Sequence, residues 1–270
     1  MRAVGRLFVT GLGGYLGAEL GRQAPAAGWE VAGIAGSAQL DVRDGAAVLA
    51  AVADARPDVV VHTAYRMNDA SVNVEGTRAV AAATAAAGAR LVHLSSDLVF
   101  PGTGTRALTE DDEPRPVTPY GASKLEAERV CPPEALLVRT SLIYGGPEPG
   151  PQERFALDAA DGVSDMAFFT DELRCPIAVA DLAAAVLELA ALGSDPAHPP
   201  PAGPLHVAGA DALTRYEFAQ LICARHGRDP AALRGEPGGP DRPKHIVLDS
   251  SRARALLRVR LRGAREVLAA

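Results

Sequence analysis

Residues 6–17 read RLFVTGLGGYLG. A short apolar, β-branched run is followed at once by Gly11, Gly14 and Gly17, and then by the start of a helical pattern. Glycine spacing alone says little, but strand, turn and helix in this order give each glycine a purpose. The first permits a tight turn, the second lets backbone approach a pyrophosphate, and the third lets helix and strand pack closely. A helix N-terminus placed there meets an anion with free N–H groups. A glycine-rich loop without a ligand is the competing interpretation, and the strand–turn–helix context weighs against it.

Working outward, short apolar runs alternate with longer helical stretches, the pattern of right-handed βαβ units on a parallel sheet. Strands are expected at 6–10, 30–34, 58–62, 91–94 and 136–139. Helices are expected at 15–24, 45–54, 73–87 and 119–130, each with Ala, Leu or Val at three- and four-residue spacing. The fold class is therefore α/β, a doubly wound parallel sheet of the Rossmann kind. After Tyr144 the alternation breaks at GGPEPGP, and residues 196–204 are again dense in proline, as loops and linkers are. This places a dinucleotide-binding domain carrying the catalytic residues at 1–144. A small C-terminal α/β lobe, mainly substrate-binding, is placed at 145–270, with 177–192 packing back on the first domain. In that lobe a helix is expected at 181–192, a strand at 205–208 and a helix at 213–226 capped by Thr214 or a neighbour.

Bulk properties exclude several function classes. Within 270 residues the formal charge is −6 and the pI about 5.6, which is no footprint for nucleic acid or an anionic membrane. The aromatic fraction is 4%, so the core must be aliphatic, and a small molecule is the expected partner. Cys131, Cys175 and Cys223 are odd in number and widely spaced, which argues against a disulfide framework and for a reducing cytoplasm. The N-terminus runs straight into glycines without the apolar core of a signal peptide. The Ala-rich run 79–89 falls short of the ~20 residues that span a bilayer. His62, His93 and His206 sit in apolar strands as core residues, and no histidine or cysteine spacing suits a metal. Cys175 is expected to be a buried small hydrophobe, and the acidic run 110–113 a solvated loop.

Tyr120 and Lys124 stand at i and i+4 in PYGASKLEAE, on one face of a helix. Thr118 suits the cap and Pro119 the first helical position, which puts Tyr120 in the first turn. Only two of the 27 basic residues are lysine, at 124 and 244, so a lysine retained here is informative. A long flexible ammonium reaches beneath a phenol and to a ribose hydroxyl where a guanidinium does not. Lys124 and the helix N-terminus are both expected to lower the phenol toward working pH for proton transfer. Ser96 lies at the carboxyl end of the 91–94 strand, where open α/β sheets gather catalytic groups, and strand alternation sends Ser95 to the opposite side. Dinucleotide sites that prefer NAD usually carry an acid at the end of the second strand; here the stretch is GIAGSAQ, with no carboxylate before Asp41. NADP(H) is therefore the expected cofactor, with NAD(H) accommodated and Ser37 available to a phosphate oxygen, although no Arg is evident to seal the site. Asp41 with Val42 suits either an adenine amino group or the cap of the next helix.

TGLGGYLG, LVHLSSDLVF, PYGASKLEAE and VRTSLIYG, in that order, resemble the extended short-chain dehydrogenases, and within them the chain is most similar to the dTDP-4-dehydrorhamnose reductase group. PDVVVHTAY, NVEGT, DELRCPIAVADLA, GPLHVAGADALTRYEFAQ and RPKHIVLDSSRARALL extend the resemblance over nearly the whole chain. It implies an oxidoreductase in which Ser96 polarises the carbonyl, Tyr120 is the acid and Lys124 holds the nicotinamide ribose. It places Gly11, Gly14, Tyr15, Leu16, Gly17, Thr63, Ala64, Tyr65, Thr140 and Ser141 at the cofactor, and Asp97, Val99, Phe100, Leu142 and Arg174 toward the substrate. Two departures touch the substrate side: the loop 65–71 is about ten residues shorter than the group's, and Leu142 stands where Trp is usual. A differently shaped sugar nucleotide or a smaller metabolite is therefore expected as the best substrate. Two further functions compete: a nucleotide-sugar epimerase or dehydratase with retained cofactor, and a non-catalytic subunit, since the methionine adenosyltransferase β subunit also resembles this group. A monomer or homodimer is expected.

Overall fold

Wherever the sequence alternates apolar runs with helical stretches, the chain builds strand and helix in turn. The computed structural model describes residues 5–193 and 199–269. The elements are β1 (Gly5–Thr10), α1 (Tyr15–Gln23), β2 (Trp29–Ile34), α2 (Gly45–Ala55), β3 (Val59–His62), α3 (Ala70–Ala86), β4 (Arg90–Leu94), α4 (Pro119–Arg129) and β5 (Leu136–Arg139). All four residues of β3 are buried, as expected of a strand covered on both faces. Side chains of β1, β3, β4 and β5 form one core with α1 and with α6 (Val179–Ala191). On the other face Phe8, Ile34, Val60 and Leu91 pack on Val48, Val52 and Val80 of α2 and α3.

The expected boundaries differ from these by a residue or two, except at α3. Asp69 caps that helix by accepting from the N–H groups of Ser71 and Val72 at 3.0 and 3.3 Å, so it begins at Ala70 and not at Asn73. The sheet is wholly parallel, and a sixth strand, β6 (Gly203–His206), pairs with β5. The strand expected at 205–208 in the small lobe therefore starts earlier and belongs to the main sheet. In spatial order the sheet reads β2-β1-β3-β4-β5-β6, so its direction of winding reverses between β1 and β3. Ligands of open α/β sheets bind at such a reversal, outside the carboxyl ends of the strands.

The rest of the second half forms a smaller core from Tyr144, Phe168, Leu213, Phe218 and Ile222, around α5 (Pro151–Ala160) and α7 (Arg215–Arg225). Thr214 and Glu217 cap α7 reciprocally, so the expected helix over 213–226 starts two residues later. Arg90 holds α6 to the sheet by donating to the carbonyls of Leu189 and Leu192 at 3.0 and 2.7 Å. The proline-dense stretch 196–204 lies partly outside the described residues. In the acidic run 110–113, Asp111 and Glu113 are exposed as expected, but Glu110 departs from the expectation: it is 8% exposed and accepts from the His206 N–H at 3.0 Å. Among the described residues no helix is long and apolar enough to cross a membrane.

Candidate active site

Four strand ends converge on one edge of the sheet. The glycine turn follows β1, Thr63 follows β3, Ser96 follows β4 and Thr140 follows β5. The turn is bonded to the end of β2, with Leu12 N–H donating to Ile34 O and Gly13 N–H to Ala35 O, both at 2.9 Å. Gly11 adopts φ +74°, a left-handed conformation that glycine takes without strain, and a methyl on Gly17 would overlap the Gly11 carbonyl oxygen. Gly13 and Gly14 are exposed, and α1 has no side-chain cap. Its first-turn N–H groups therefore meet whatever anion lies there. Leu16 is buried beneath the turn.

Tyr15 faces the second half of the chain. Its hydroxyl accepts from Gly146 N–H at 2.7 Å and donates to Glu153 at 3.1 Å, which ties the turn to α5. Thr63 Oγ1 donates to Thr10 O at 2.7 Å, and Ala64 packs beside Gly11. Thr140 Oγ1 is buried and has no partner among the described residues. A buried hydroxyl left unpaired is costly.

The structure brings Ser96, Tyr120 and Lys124 together. Thr118 caps α4 by accepting from Gly121 N–H at 3.0 Å, with Pro119 at its start. A methyl at Gly121 would overlap the Leu98 carbonyl oxygen, so α4 sits directly on the turn 97–99 that Ser96 caps. Ser95 points away and donates to Glu128 at 2.5 Å, as strand alternation requires. Lys124 is 2% exposed; its ammonium donates to Leu94 O at 2.7 Å and lies 3.4 Å from His93 Nε2. Burial lowers it to about 8.

Burial also decides Tyr120, in the opposite direction to expectation. Desolvation raises the phenol, and the nearby Tyr65 and Asp97 add to the rise; a hydrogen bond with Ser96 and the Arg174 charge oppose it. Lys124 does not reverse the balance, because its ammonium is turned to Leu94 and His93. The Tyr65 ring stands 6.0 Å from that of Tyr120 and is 51% exposed.

Of the residues expected to face the substrate, Asp97 and Arg174 are buried and paired with each other, with Nε to Oδ2 at 2.7 Å and a second bond from Nη2 to Oδ1. Ser141 donates to the same carboxylate at 2.7 Å. Val99 and Phe100 are 0% and 1% exposed and pack on Leu125, Cys175 and Ile246, so their side chains reach no surface. Leu142 is likewise buried, in the small core. Cys175 is buried as expected.

Ser37 and Asp41 lie beyond β2. Arg43 grips Asp41 and holds its carboxyl down at about 2, while the cap of α2 is Asp44 and Val42 is buried against Gly76 of α3.

Two arginines escaped the sequence analysis. Arg66 donates to Ser37 Oγ at 3.1 Å. Arg215 donates to Gln152 at 3.1 Å and is lowered to about 10 by burial and by the charge of Arg174. Neither pairs with a carboxylate among the described residues. An Arg just after a strand end was a signal for the first; the second needed the folded lobe.

A parallel sheet with this glycine turn and a Ser, Tyr and Lys set at its carboxyl edge is the architecture of the extended short-chain dehydrogenases. The chain belongs to the family of the RmlD substrate binding domain, whose model matches residues 5–270. It is 37% identical to a dTDP-4-dehydrorhamnose reductase of Streptomyces griseus, over 93% of this chain and 87% of that protein. It is 34% identical to one of Mycolicibacterium smegmatis, over 97% and 84%. The fold matches the crystal structure of dTDP-4-dehydrorhamnose reductase from Bacillus anthracis in complex with NADP. That match has a TM-score of 0.84 and 24% identity, covering 100% of this chain and 98% of that one.

Proposed function

We propose that the protein is an NADPH-dependent reductase of a nucleoside-diphosphate 4-keto-6-deoxysugar. The observation that carries this is the Tyr120 phenol, which desolvation keeps protonated, on the helix α4 that packs directly on the turn capped by Ser96 at the carboxyl end of β4. A phenol in that state is a proton donor awaiting an oxyanion, and a neighbouring hydroxyl can polarise the same oxygen.

The residues present fit a dinucleotide. The turn at Gly11, Gly14 and Gly17, with Tyr15 and Leu16, offers backbone N–H groups to the pyrophosphate. Thr63, Ala64 and Tyr65 follow β3, and Thr140 and Ser141 follow β5, which on this reading puts them at the same strand-end edge as the turn. Lys124 has spent one donor on Leu94 O and directs another toward His93, which leaves its third for a ribose hydroxyl. NADPH bound there supplies the hydride. Ser96 then holds the carbonyl oxygen, and Tyr120 delivers the proton as negative charge develops on it.

Two relatives above 30% identity carry the name dTDP-4-dehydrorhamnose reductase, which supports a nucleotide-linked 4-ketosugar. Arg215 supports it chemically, as a half-buried cation without a carboxylate beside Arg174 suits a diphosphate. Leu142 weighs less than its departure from Trp suggests, because it is buried in the small core. The shortened loop 65–71 still favours a sugar of different shape from dehydrorhamnose. We place the enzyme in the cytoplasm as a monomer or homodimer.

The test is NADPH oxidation by purified protein with a panel of dTDP-4-keto-6-deoxysugars and simple ketones. Turnover of at least one ketosugar well above the simple ketones is expected. Tyr120→Phe should lower it by ~10²- to 10⁴-fold, the usual contribution of a general acid, with NADPH still bound. Near-full activity in Tyr120→Phe would refute the assigned role, and a protein that binds NADPH but reduces no ketone would favour the non-catalytic subunit.

A further inference from the structure

Arg66 leaves β3 through a short loop whose backbone is fixed. The buried Asn73 accepts from Arg66 N–H at 2.9 Å and donates to Arg66 O at 2.8 Å and to Ser123 Oγ of α4 at 2.9 Å. With its main chain clamped between α3 and α4, Arg66 reaches across the reversal of the sheet to Ser37 Oγ, 3.1 Å away. The glycine turn is bonded to Ile34 and Ala35, so Ser37 lies where open dinucleotide folds read the 2′ position of the adenine ribose.

The charges around this point are sorted. Asp41, the nearest acid after β2, is occupied by Arg43, which also lies 3.6 Å from Asp69. Arg66 is exposed and has no carboxylate in ion-pair distance among the described residues. One cation thus neutralises the local acid, and the other is left open beside a hydroxyl. A phosphomonoester fits that pair: Ser37 donates one hydrogen bond, and the guanidinium donates further charge-assisted ones.

Resting on the reading of the protein as an NADPH-dependent reductase, we infer that Arg66, with Ser37, binds the 2′-phosphate of the cofactor and sets the preference for NADPH over NADH. The backbone bonds to Asn73 survive truncation of the side chain, so Arg66→Ala should fold as the wild type does.

Calorimetric titration of the whole protein with NADPH, NADH, 2′,5′-ADP and 5′-AMP tests this without turnover. Wild type should bind each 2′-phosphorylated ligand more tightly than its partner. Arg66→Ala should lose about 10- to 100-fold for NADPH and 2′,5′-ADP, the loss expected of a hydrogen bond between charged groups, and change little for NADH and 5′-AMP. Ser37→Asp should weaken the same two ligands, by engaging Arg66 internally and repelling phosphate. Undiminished discrimination in Arg66→Ala would overturn the inference. Equal wild-type affinities for NADPH and NADH would overturn it too and leave the reductase reading standing. Binding of none of the four ligands would sink both.

Discussion

Lys124 shows how burial and chemistry compete at a single residue. The sequence places its ammonium beneath the Tyr120 phenol, but the fold gives it Leu94 O and His93 and lowers it from an ordinary 10.5 to about 8. The phenol, also desolvated, moves up. Both shifts follow from desolvation, which disfavours whichever form carries charge and which a one-dimensional sequence does not display. The consequence is measurable. A cation whose folded value lies below its unfolded one sheds its proton early, so NADPH affinity should weaken as pH rises through about 8. Between about 8 and 10.5 the same group's contribution to folding stability rises, because the unfolded chain still binds the proton that the folded one has released. Dissociation constants for NADPH across this range check the first effect, and a flat profile would mean that Lys124 does not touch the cofactor.

At the scale of elements, caps and turns were legible because they depend on near neighbours. Thr118 with Pro119, and Thr214 with its helix, start where their side chains can accept from the backbone. β6 was placed in the wrong layer because a four-residue strand carries no mark of which sheet it will join; only its pairing with β5 decides that. Helix α4 carries Tyr120 and Lys124, the two residues proposed for proton transfer and ribose binding, while Gly121 allows it to touch Leu98. Gly121→Ala should push the helix off the turn that holds Ser96. A loss of about 1–3 kcal/mol is the usual result of such overpacking, and it should come with a fall in kcat larger than any change in NADPH affinity. Thermal melts and steady-state kinetics measure both, and wild-type values in each would show that the contact is dispensable.

For the molecule as a whole, the sheet and its helices were legible, because periodicity and spacing encode them locally, and the same spacing put Tyr120 and Lys124 on one helix. What stayed hidden was which side chains pair across the chain: Arg66 with Ser37, Arg174 with Asp97, and Tyr15 with Glu153. Tyr15 with Glu153 and Arg174 with Asp97 tie the two halves of the chain together, and the reaction proposed for the protein makes a claim about where a single hydrogen goes. NADPH deuterated at its transferring C4 position, incubated with the enzyme and a dTDP-4-keto-6-deoxysugar, follows that hydrogen by mass spectrometry and NMR. One deuterium at C4 of the product sugar, with NADPH consumed mole for mole, is the predicted result. A converted sugar without label and with NADPH left intact, as an epimerase or dehydratase that returns its hydride would give, would contradict the account.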